Sequence, residues 1–418
     1  MRVLALGILV ATAWAGDAGQ ITLKTQSAFD RVDLAVVPQL RDTAACVQAE
    51  AELAPVAGRS ELPQIHFRKG YCAMAGAAIT HQPADFQSAA KEFDQAIEAW
   101  KALALAPSKD KPVGPVSSGL EVLDAIAHIQ AQPQLNPERW RQAMQSAVMQ
   151  PECLASLMAP AACTAMVSAG KEWLGWMALR RGDLAEAAQD FSEFAGSGWP
   201  EWTAGQQAFA ARNYKEAAAR DQEAIEAWTR AMGEPAPVFQ ARVGPHPDLA
   251  AALVDWGGAQ LLAGNTAGAI ATLSEAIQRN PANARAYYLR ARARELAGQN
   301  ERALADYNLA SRTAFARAQN LASGEAHLYR GIAYYRRGDY ARAEEEFSSA
   351  LNFEIAPPLR ADDEAWRHLA AVADGNCGAS REYLARALAH ASPFFPVDEA
   401  RDAMASCGRR TAAAGPAR

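Results

Sequence analysis

The feature that most constrains the fold of this 418-residue chain is a short turn that recurs along its middle and C-terminal parts. Each copy separates two stretches of helical character. Glycine suits the left-handed position that closes a helix, and Asp or Asn suits the start of the next helix. The copies are Arg181-Gly182-Asp183-Leu184, Arg212-Asn213-Tyr214, Gly264-Asn265-Thr266, Gly298-Gln299-Asn300 and Gly338-Asp339-Tyr340. These turns predict a series of helical hairpins.

Residues on either side of each turn predict how the two helices of a hairpin pack. A small residue lies seven positions before the turn, in the order Gly175, Gly205, Gly257, Ala291 and Gly331. An alanine follows the turn, and a larger residue comes four positions later: Phe191, Asp221, Leu273, Tyr307 and Phe347. A step of four keeps both on one helix face, where they can nest against the small residue. Asp221 departs from this pattern because it is charged.

Most of the turns are 30 to 40 residues apart, and one interval of 52 residues contains a Pro- and Gly-rich insertion near 232–247. In spacing and residue pattern the chain resembles the tetratricopeptide repeat. The copy from Leu328 to Leu351 matches best, and the copies at 250–283 and 284–317 match well. Weaker copies lie at 168–200 and 198–231, and degenerate ones follow Gly70 and Asp363.

The resemblance implies an all-α, right-handed α-solenoid with an irregular helical N-terminal part and a helical C-terminal cap. It also implies a concave groove, lined by the first helix of each pair, that binds a protein or peptide segment. Arginine and aromatic residues are enriched in binding surfaces. The candidate groove residues are Trp176, Arg285, Tyr288, Arg292, Leu328, Tyr335 and Arg336. A local basic patch for an acidic segment or a chain-terminal carboxylate is suggested by Arg285, Arg290, Arg292, Arg294 and Arg302. The alternative is a solvated helix face with ion pairs.

The first 15 residues have the layout of a cleavable secretory signal, with Arg2, a short apolar run and small residues at Ala13 and Ala15. We therefore expect a periplasmic or secreted protein. The mature chain carries no second apolar run of membrane length, so no membrane span is expected in it.

Six cysteines in an exported chain permit three disulfides. Sequence order suggests the neighbour pairs Cys46–Cys72, Cys153–Cys163 and Cys377–Cys407. Six cysteines allow 15 pairings, and buried free thiols are the alternative.

Composition shifts predict the remaining organisation. The predicted segments are the signal peptide at 1–15, an N-terminal helical region at 16–106, a linker at 107–119, an irregular helical segment at 120–166, the repeats at 167–356, a C-terminal degenerate repeat or cap at 357–408 and a disordered tail at 409–418.

No catalytic, cofactor-binding or metal-binding residues are predicted. The seven histidines contain no His-x-x-x-His pair, and the chain has no Gly-x-Ser-x-Gly motif, phosphate-binding loop or Cys-x-x-Cys motif. The net charge of −6 argues against a nucleic-acid partner. The leading interpretation is an exported, non-catalytic module or scaffold that binds a protein or peptide. The alternatives are an enzyme or small-ligand-binding protein with its site in the N-terminal third, and a subunit that self-associates through the repeat ends.

Overall fold

The computed structural model describes residues 62–80, 82–105, 116–132, 138–153, 160–233, 245, 247–318, 323–353 and 355–413. Their regular structure is helical throughout, which confirms the predicted all-α class. The α-helices are α1 (Leu62–Thr80), α2 (Pro83–Leu105), α3 (Ser118–Ala131), α4 (Glu138–Met149), α5 (Pro160–Arg181), α6 (Leu184–Asp190), α7 (Trp199–Ala210), α8 (Tyr214–Gly233), α9 (Leu249–Leu262), α10 (Thr266–Arg279), α11 (Ala284–Leu296), α12 (Asn300–Arg317), α13 (Gly324–Arg336), α14 (Tyr340–Ala350), α15 (Pro357–Ala373), α16 (Ala379–Ala387) and α17 (Val397–Ala413).

The recurring turns close the helices as the sequence predicts. Gly182, Gly264, Gly298 and Gly338 have φ values of 79°, 85°, 71° and 78°, the left-handed conformation that suits glycine. Arg212 occupies the corresponding place with φ 61°. Side-chain caps begin the following helices: Asp183 accepts from the Glu186 amide at 3.0 Å, and Asn265 accepts from the Gly268 amide at 3.0 Å. Local chemistry therefore determines where each hairpin bends.

The small-to-large packing within hairpins is also confirmed. A Cβ added at Gly257 would lie 2.5 Å from Cγ of Leu273, and one at Gly331 would lie 2.5 Å from Cε1 of Phe347. The degenerate N-terminal copy uses the same contact, since a Cβ at Gly70 would lie 2.6 Å from Cδ1 of Phe93. Each glycine lets a large side chain of the second helix approach the backbone of the first helix.

The chain divides into two compact units, one with residues 1–203 and 227–246 and the other with residues 204–226 and 247–418. In the first unit α1 packs on α2, α2 on α3, and α3 on both α4 and α5. Its core includes Phe93, Trp100, Leu123 and Trp173. The linker predicted at 107–119 ends earlier than expected, because Ser118 already begins α3. Its residues 107–115 lie outside the described part of the chain.

In the second unit, the hairpins α9–α10, α11–α12 and α13–α14 follow one another, and α15 packs on α14, α16 and α17. Trp366 of α15 is fully buried. The last helix continues to Ala413, so residues 409–413 are helical where the sequence predicted a disordered tail. This helix begins at Val397 and carries Asp398 and Glu399 in its first turn, where carboxylates favour the helix dipole.

Two predicted disulfides are present. The Cα atoms of Cys153 and Cys163 are 5.6 Å apart, and those of Cys377 and Cys407 are 5.5 Å apart. Cys72 is also disulfide-bonded. Cys46 lies outside the described residues, as does the predicted signal peptide at 1–15, so the pairing of Cys46 with Cys72 stays a prediction.

Candidate binding groove

Helices α11 and α13 bring together side chains that the sequence assigned to a binding surface. Arg292 lies one turn before Glu295 on α11, and Tyr335 and Arg336 end α13. Arg292 donates a hydrogen bond to the Glu295 carboxylate, and Arg336 forms an ion pair with the same carboxylate. One anion therefore holds two arginines side by side. We call the surface made by Arg292, Glu295, Tyr335 and Arg336 the groove face.

Residues 392–399 of the same chain lie against the groove face. Nε of Arg292 donates to the main-chain carbonyl of Phe394 over 3.2 Å. Nη1 of Arg336 donates to the two carboxylate oxygens of Glu399 at 2.6 and 2.8 Å, and the Tyr335 hydroxyl donates to Oε1 of Glu399 at 3.0 Å. These are charge-assisted contacts to a backbone carbonyl and a carboxylate, the groups that a bound peptide offers.

The Tyr335 hydroxyl is held as a donor. Burial, followed by the Glu399 carboxylate, raises the pKa of Tyr335 above its ordinary value. The phenol therefore stays protonated at neutral pH and can donate its proton to Glu399. The Tyr335 ring also meets Trp366 edge-on, with the ring centroids 5.3 Å apart.

Two phenylalanines supply the apolar part of this contact. Phe395 is buried and meets Trp366 edge-on at 5.2 Å between ring centroids. The Phe394 ring lies over Gly258, where an added Cβ would come within 3.1 Å of it. It also lies 6.2 Å from the Phe209 ring. Residues 392–399 thus bind through aromatic side chains followed by a carboxylate.

Ser392 fixes the start of this segment. Its amide and its hydroxyl each donate to the Asp362 carboxylate at 2.6 Å. Burial raises the pKa of Asp362, while the two hydrogen bonds from Ser392 lower it and so oppose the effect of burial. The buried carboxylate is thus satisfied by the segment that it holds.

A cavity of about 780 Å³ lies beside the contact. Arg292, Glu295 and Arg336 line it together with Glu399, so the polar groups of the groove face border open space. The Glu399 side chain keeps 36% of its surface exposed. The carboxylate contact is therefore accessible to solvent, whereas Phe395 is enclosed.

The other predicted groove residues have different surroundings. Tyr288 and Leu328 are 4% and 1% exposed, so they belong to the core, and Tyr288 stacks on Tyr329 with centroids 5.2 Å apart. Arg285 is paired with Asp255 at 2.7 Å. Trp176 belongs to the first unit, where it meets Trp173 edge-on at 5.1 Å.

The arginines of α11 do not form one basic patch. Arg290 and Arg294 both pair with Asp306 of α12, at 2.8 and 2.6 Å, and Asp306 is 1% exposed. The single Asp306 carboxylate thus compensates one of their two positive charges inside the hairpin. Only Arg292 of this group reaches residues 392–399, and Arg336 supplies the second cation.

Sequence reasoning missed Phe394, Phe395 and Glu399 as part of this surface. A signal was present, because Pro393 and Pro396 flank an aromatic pair immediately before a helix with an acidic first turn. In the structure residues 393–395 form a turn, in which the Phe395 amide donates to the Ser392 carbonyl at 3.1 Å. Two aromatic side chains in a short loop of this kind need a surface to pack against. The pattern does not tell which surface they reach.

The described part of the chain contains no helix both long and apolar enough for a membrane span. A family model for the tetratricopeptide repeat matches residues 254–316 and 310–359. This part of the chain, which includes the groove face, therefore consists of tetratricopeptide repeats. No curated protein matches the chain by sequence.

Several solved structures are similar to the chain at low identity. Yeast Tom70 is 10% identical, with 94% of this chain and 83% of that one covered and a TM-score of 0.36. A tetratricopeptide repeat protein from Parabacteroides merdae is 15% identical, with 78% and 99% covered and a TM-score of 0.40. A signal-transduction ATPase with a tetratricopeptide repeat sensor, from Pyrococcus horikoshii, is 13% identical, with 81% and 54% covered and a TM-score of 0.42.

Proposed function

We propose that this chain is a non-catalytic interaction module that binds a segment of a partner protein on the groove face. Tetratricopeptide repeats are a scaffold typical of such modules. The observation that carries the proposal is the contact of Arg336, Tyr335 and Arg292 with residues 392–399. Residues 392–399 of the chain itself, a turn followed by the start of α17, occupy this surface.

The chemistry of residues 392–399 defines the partner that would replace them. It is a segment with one or two aromatic side chains followed, four or five residues later, by a carboxylate, as Phe394, Phe395 and Glu399 are arranged. The partner's carboxylate would take the place of Glu399 on Nη1 of Arg336, and a main-chain carbonyl would accept from Arg292. Aromatic side chains would supply most of the buried apolar area.

An intramolecular segment competes with a partner at a high effective concentration, of the order of millimolar for short tethers. A partner therefore binds tightly only when its segment is better matched or when residues 392–399 are released. Glu399 is the accessible point of release, because its carboxylate is partly exposed while Phe395 is buried.

The test is fluorescence anisotropy with a labelled peptide of residues 390–401 and the full chain. We expect Glu399→Ala to bind the peptide at least tenfold more tightly than the unaltered chain, because the internal carboxylate no longer competes. Adding Arg336→Ala should weaken this binding at least tenfold. The matched control is Arg330→Ala in the Glu399→Ala background, since Arg330 of the same helix pairs with Glu346 instead.

Two results would contradict the proposal. One is a folded Glu399→Ala protein, checked by circular dichroism, that does not bind the peptide at millimolar concentration. The other is an equal effect of Arg336→Ala and Arg330→Ala. Size-exclusion chromatography of the same proteins tests the alternative that the chain self-associates. Exchange of residues 392–399 between two copies would give a dimer.

We also propose that the protein acts in the periplasm or outside the cell. The two bonded cysteine pairs support this location, because disulfides persist in oxidising compartments and are rare in the cytosol. Mass spectrometry of the exported protein checks the expected signal cleavage after Ala15. Retention of residues 1–15 would argue against a cleavable signal.

A further inference from the structure

A second cluster of chemically active side chains lies in the first unit, at the contact between α2 and α3. Asp94 lies on α2, and Asp124 and His128 lie one turn apart on α3. Nε2 of His128 is 3.2 Å from Oδ2 of Asp94 and 3.5 Å from Oδ1 of Asp124. The three atoms lie within 4.8 Å of one another.

These separations fit the coordination of a small divalent ion. Zinc binds His nitrogen and carboxylate oxygen at about 2.0–2.2 Å with tetrahedral geometry, which places neighbouring ligand atoms roughly 3.3–3.6 Å apart. Both measured separations from the imidazole nitrogen are close to this range. One neutral imidazole and two carboxylates also carry the charge of −2 that balances a divalent cation.

Burial gives an independent reason for a ligand at this place. Asp124 is 5% exposed, and its Oδ1 accepts no hydrogen bond although it is fully enclosed. An uncompensated buried carboxylate oxygen is costly, and its position beside His128 points it into the cluster. A cation bound between Asp124 and His128 would satisfy this oxygen.

The imidazole is held in a fixed orientation for such a role. The His128 ring stacks on the Trp140 ring of α4, with the centroids 3.9 Å apart and the planes at 8°. Stacking restricts rotation of the ring and keeps Nε2 directed at both carboxylates. Packing that orients a histidine ligand raises metal affinity, since less freedom is lost on binding.

The charges near the cluster leave it attractive to a cation. Besides Asp94, the groups that act electrostatically on Asp124 are Glu121, Lys101 and Arg139. In the metal-free protein, burial and then the charge of Asp94 raise the pKa of Asp124 to about 8, so a bound cation takes the place of the Asp124 proton. With Asp124 ionised and His128 neutral, the three carboxylates and two cations sum to one negative charge. A bound divalent ion would change the net charge of these groups from −1 to +1. Part of that charge would be exposed to solvent.

We propose that Asp94, Asp124 and His128 form a binding site for a divalent transition metal, with Zn²⁺ as the ion that the donor set fits best. Asp94 is half exposed, so the fourth coordination position faces solvent and is filled by water. The site belongs to the N-terminal third of the chain and does not involve the groove face. It is therefore independent of the proposed function.

The sharpest test is isothermal titration of the EDTA-treated full chain with ZnCl₂, with Co²⁺ absorption as a second readout of coordination. We expect one equivalent to bind at micromolar concentration or below. His128→Gln should weaken binding at least tenfold, because it removes the nitrogen donor on a partly exposed side chain. Asp124→Asn tests the buried oxygen in the same way.

The matched control is His66→Gln. His66 is also a partly buried histidine of the first unit that contacts a carboxylate, Glu92, at 2.7 Å, but within the described ranges no second carboxylate joins it in a metal-ligating cluster. Binding should be unchanged in this variant. The proposal is overturned if the unaltered chain takes up neither ion, or if His128→Gln and His66→Gln bind alike; the cluster is then a histidinium bridging two carboxylates. If Asp124→Asn does not fold, His128→Gln decides.

Discussion

At the scale of single residues, Asp221 is the clearest departure from the repeat pattern. It lies where the other hairpins place Phe191, Leu273 or Phe347, and it is 1% exposed. Its Oδ1 lies where a Cβ on Gly205 would clash with it, and this oxygen accepts no hydrogen bond. Burial, followed by the negative charge of Asp255, raises the pKa of Asp221 to about 8. A titratable carboxyl group thus occupies a packing position that the other hairpins fill with an aromatic or aliphatic side chain.

This raised pKa predicts a pH-dependent cost in stability. The folded pKa lies above the unfolded value, so the folded protein holds a proton that the unfolded chain has released between about pH 4 and 8. Stability therefore falls as pH rises through this window. Asp221→Asn stays neutral, so its advantage in unfolding free energy should grow by a few kcal/mol from pH 5 to 8, at about 1.4 kcal/mol per pKa unit.

Urea denaturation of both proteins at the two pH values measures this difference. Asp402→Asn is the control, because Asp402 is an exposed carboxylate of the same unit. A stability difference between Asp221→Asn and the unaltered chain that is the same at pH 5 and pH 8 would show that Asp221 ionises freely in the folded protein.

At the scale of elements, the parts that could be predicted are those that local sequence determines. The turns at Gly182, Gly264 and Gly338 follow from left-handed glycines and from the Asp or Asn caps that come directly after them. The return of residues 392–399 to α11 could not be predicted, because Arg292 and Phe394 are 102 residues apart. Asp124 and His128 show an i,i+4 spacing on an apolar helix, but Asp94 joins them only through packing of α2 on α3.

The Cys377–Cys407 disulfide holds α17 in place, and with it residues 392–399. It joins the turn after α15 to α17, and Cys407 is 2% exposed. Closing a loop with a sequence separation of 30 removes enough chain entropy to contribute about 3–4 kcal/mol in the simple entropic model. The Cys153–Cys163 bond, with a separation of 10, should contribute about 1 kcal/mol less.

We therefore expect Cys377→Ser/Cys407→Ser to lower the free energy of unfolding more than Cys153→Ser/Cys163→Ser does. Only the first pair of substitutions should also increase binding of the labelled 390–401 peptide, because α17 carries Glu399. Urea denaturation and anisotropy measure the two effects. Equal peptide binding by the two variants would show that the disulfide does not hold residues 392–399 in place.

At the scale of the whole molecule, each proposed site is built from residues of one compact unit. Asp94, Asp124 and His128 lie within 1–203, while the groove face and residues 392–399 lie within 247–418. Hydrogen exchange measured by mass spectrometry should therefore give two separate responses. Zinc should slow exchange in α2 and α3, because its ligands would join these two helices. It should also slow exchange in α4, because Trp140 of α4 stacks on His128.

Glu399→Ala should speed exchange in residues 392–413 and at the end of α13, because the bonds to Arg336 and Tyr335 are lost. It should leave the amides of 62–149 unchanged. The control is Asp402→Asn, which alters an exposed carboxylate on the same helix as Glu399. If Glu399→Ala changed exchange around His128, or zinc changed exchange around Arg336, the two sites would be energetically coupled, and binding at one would have to be measured with the other occupied.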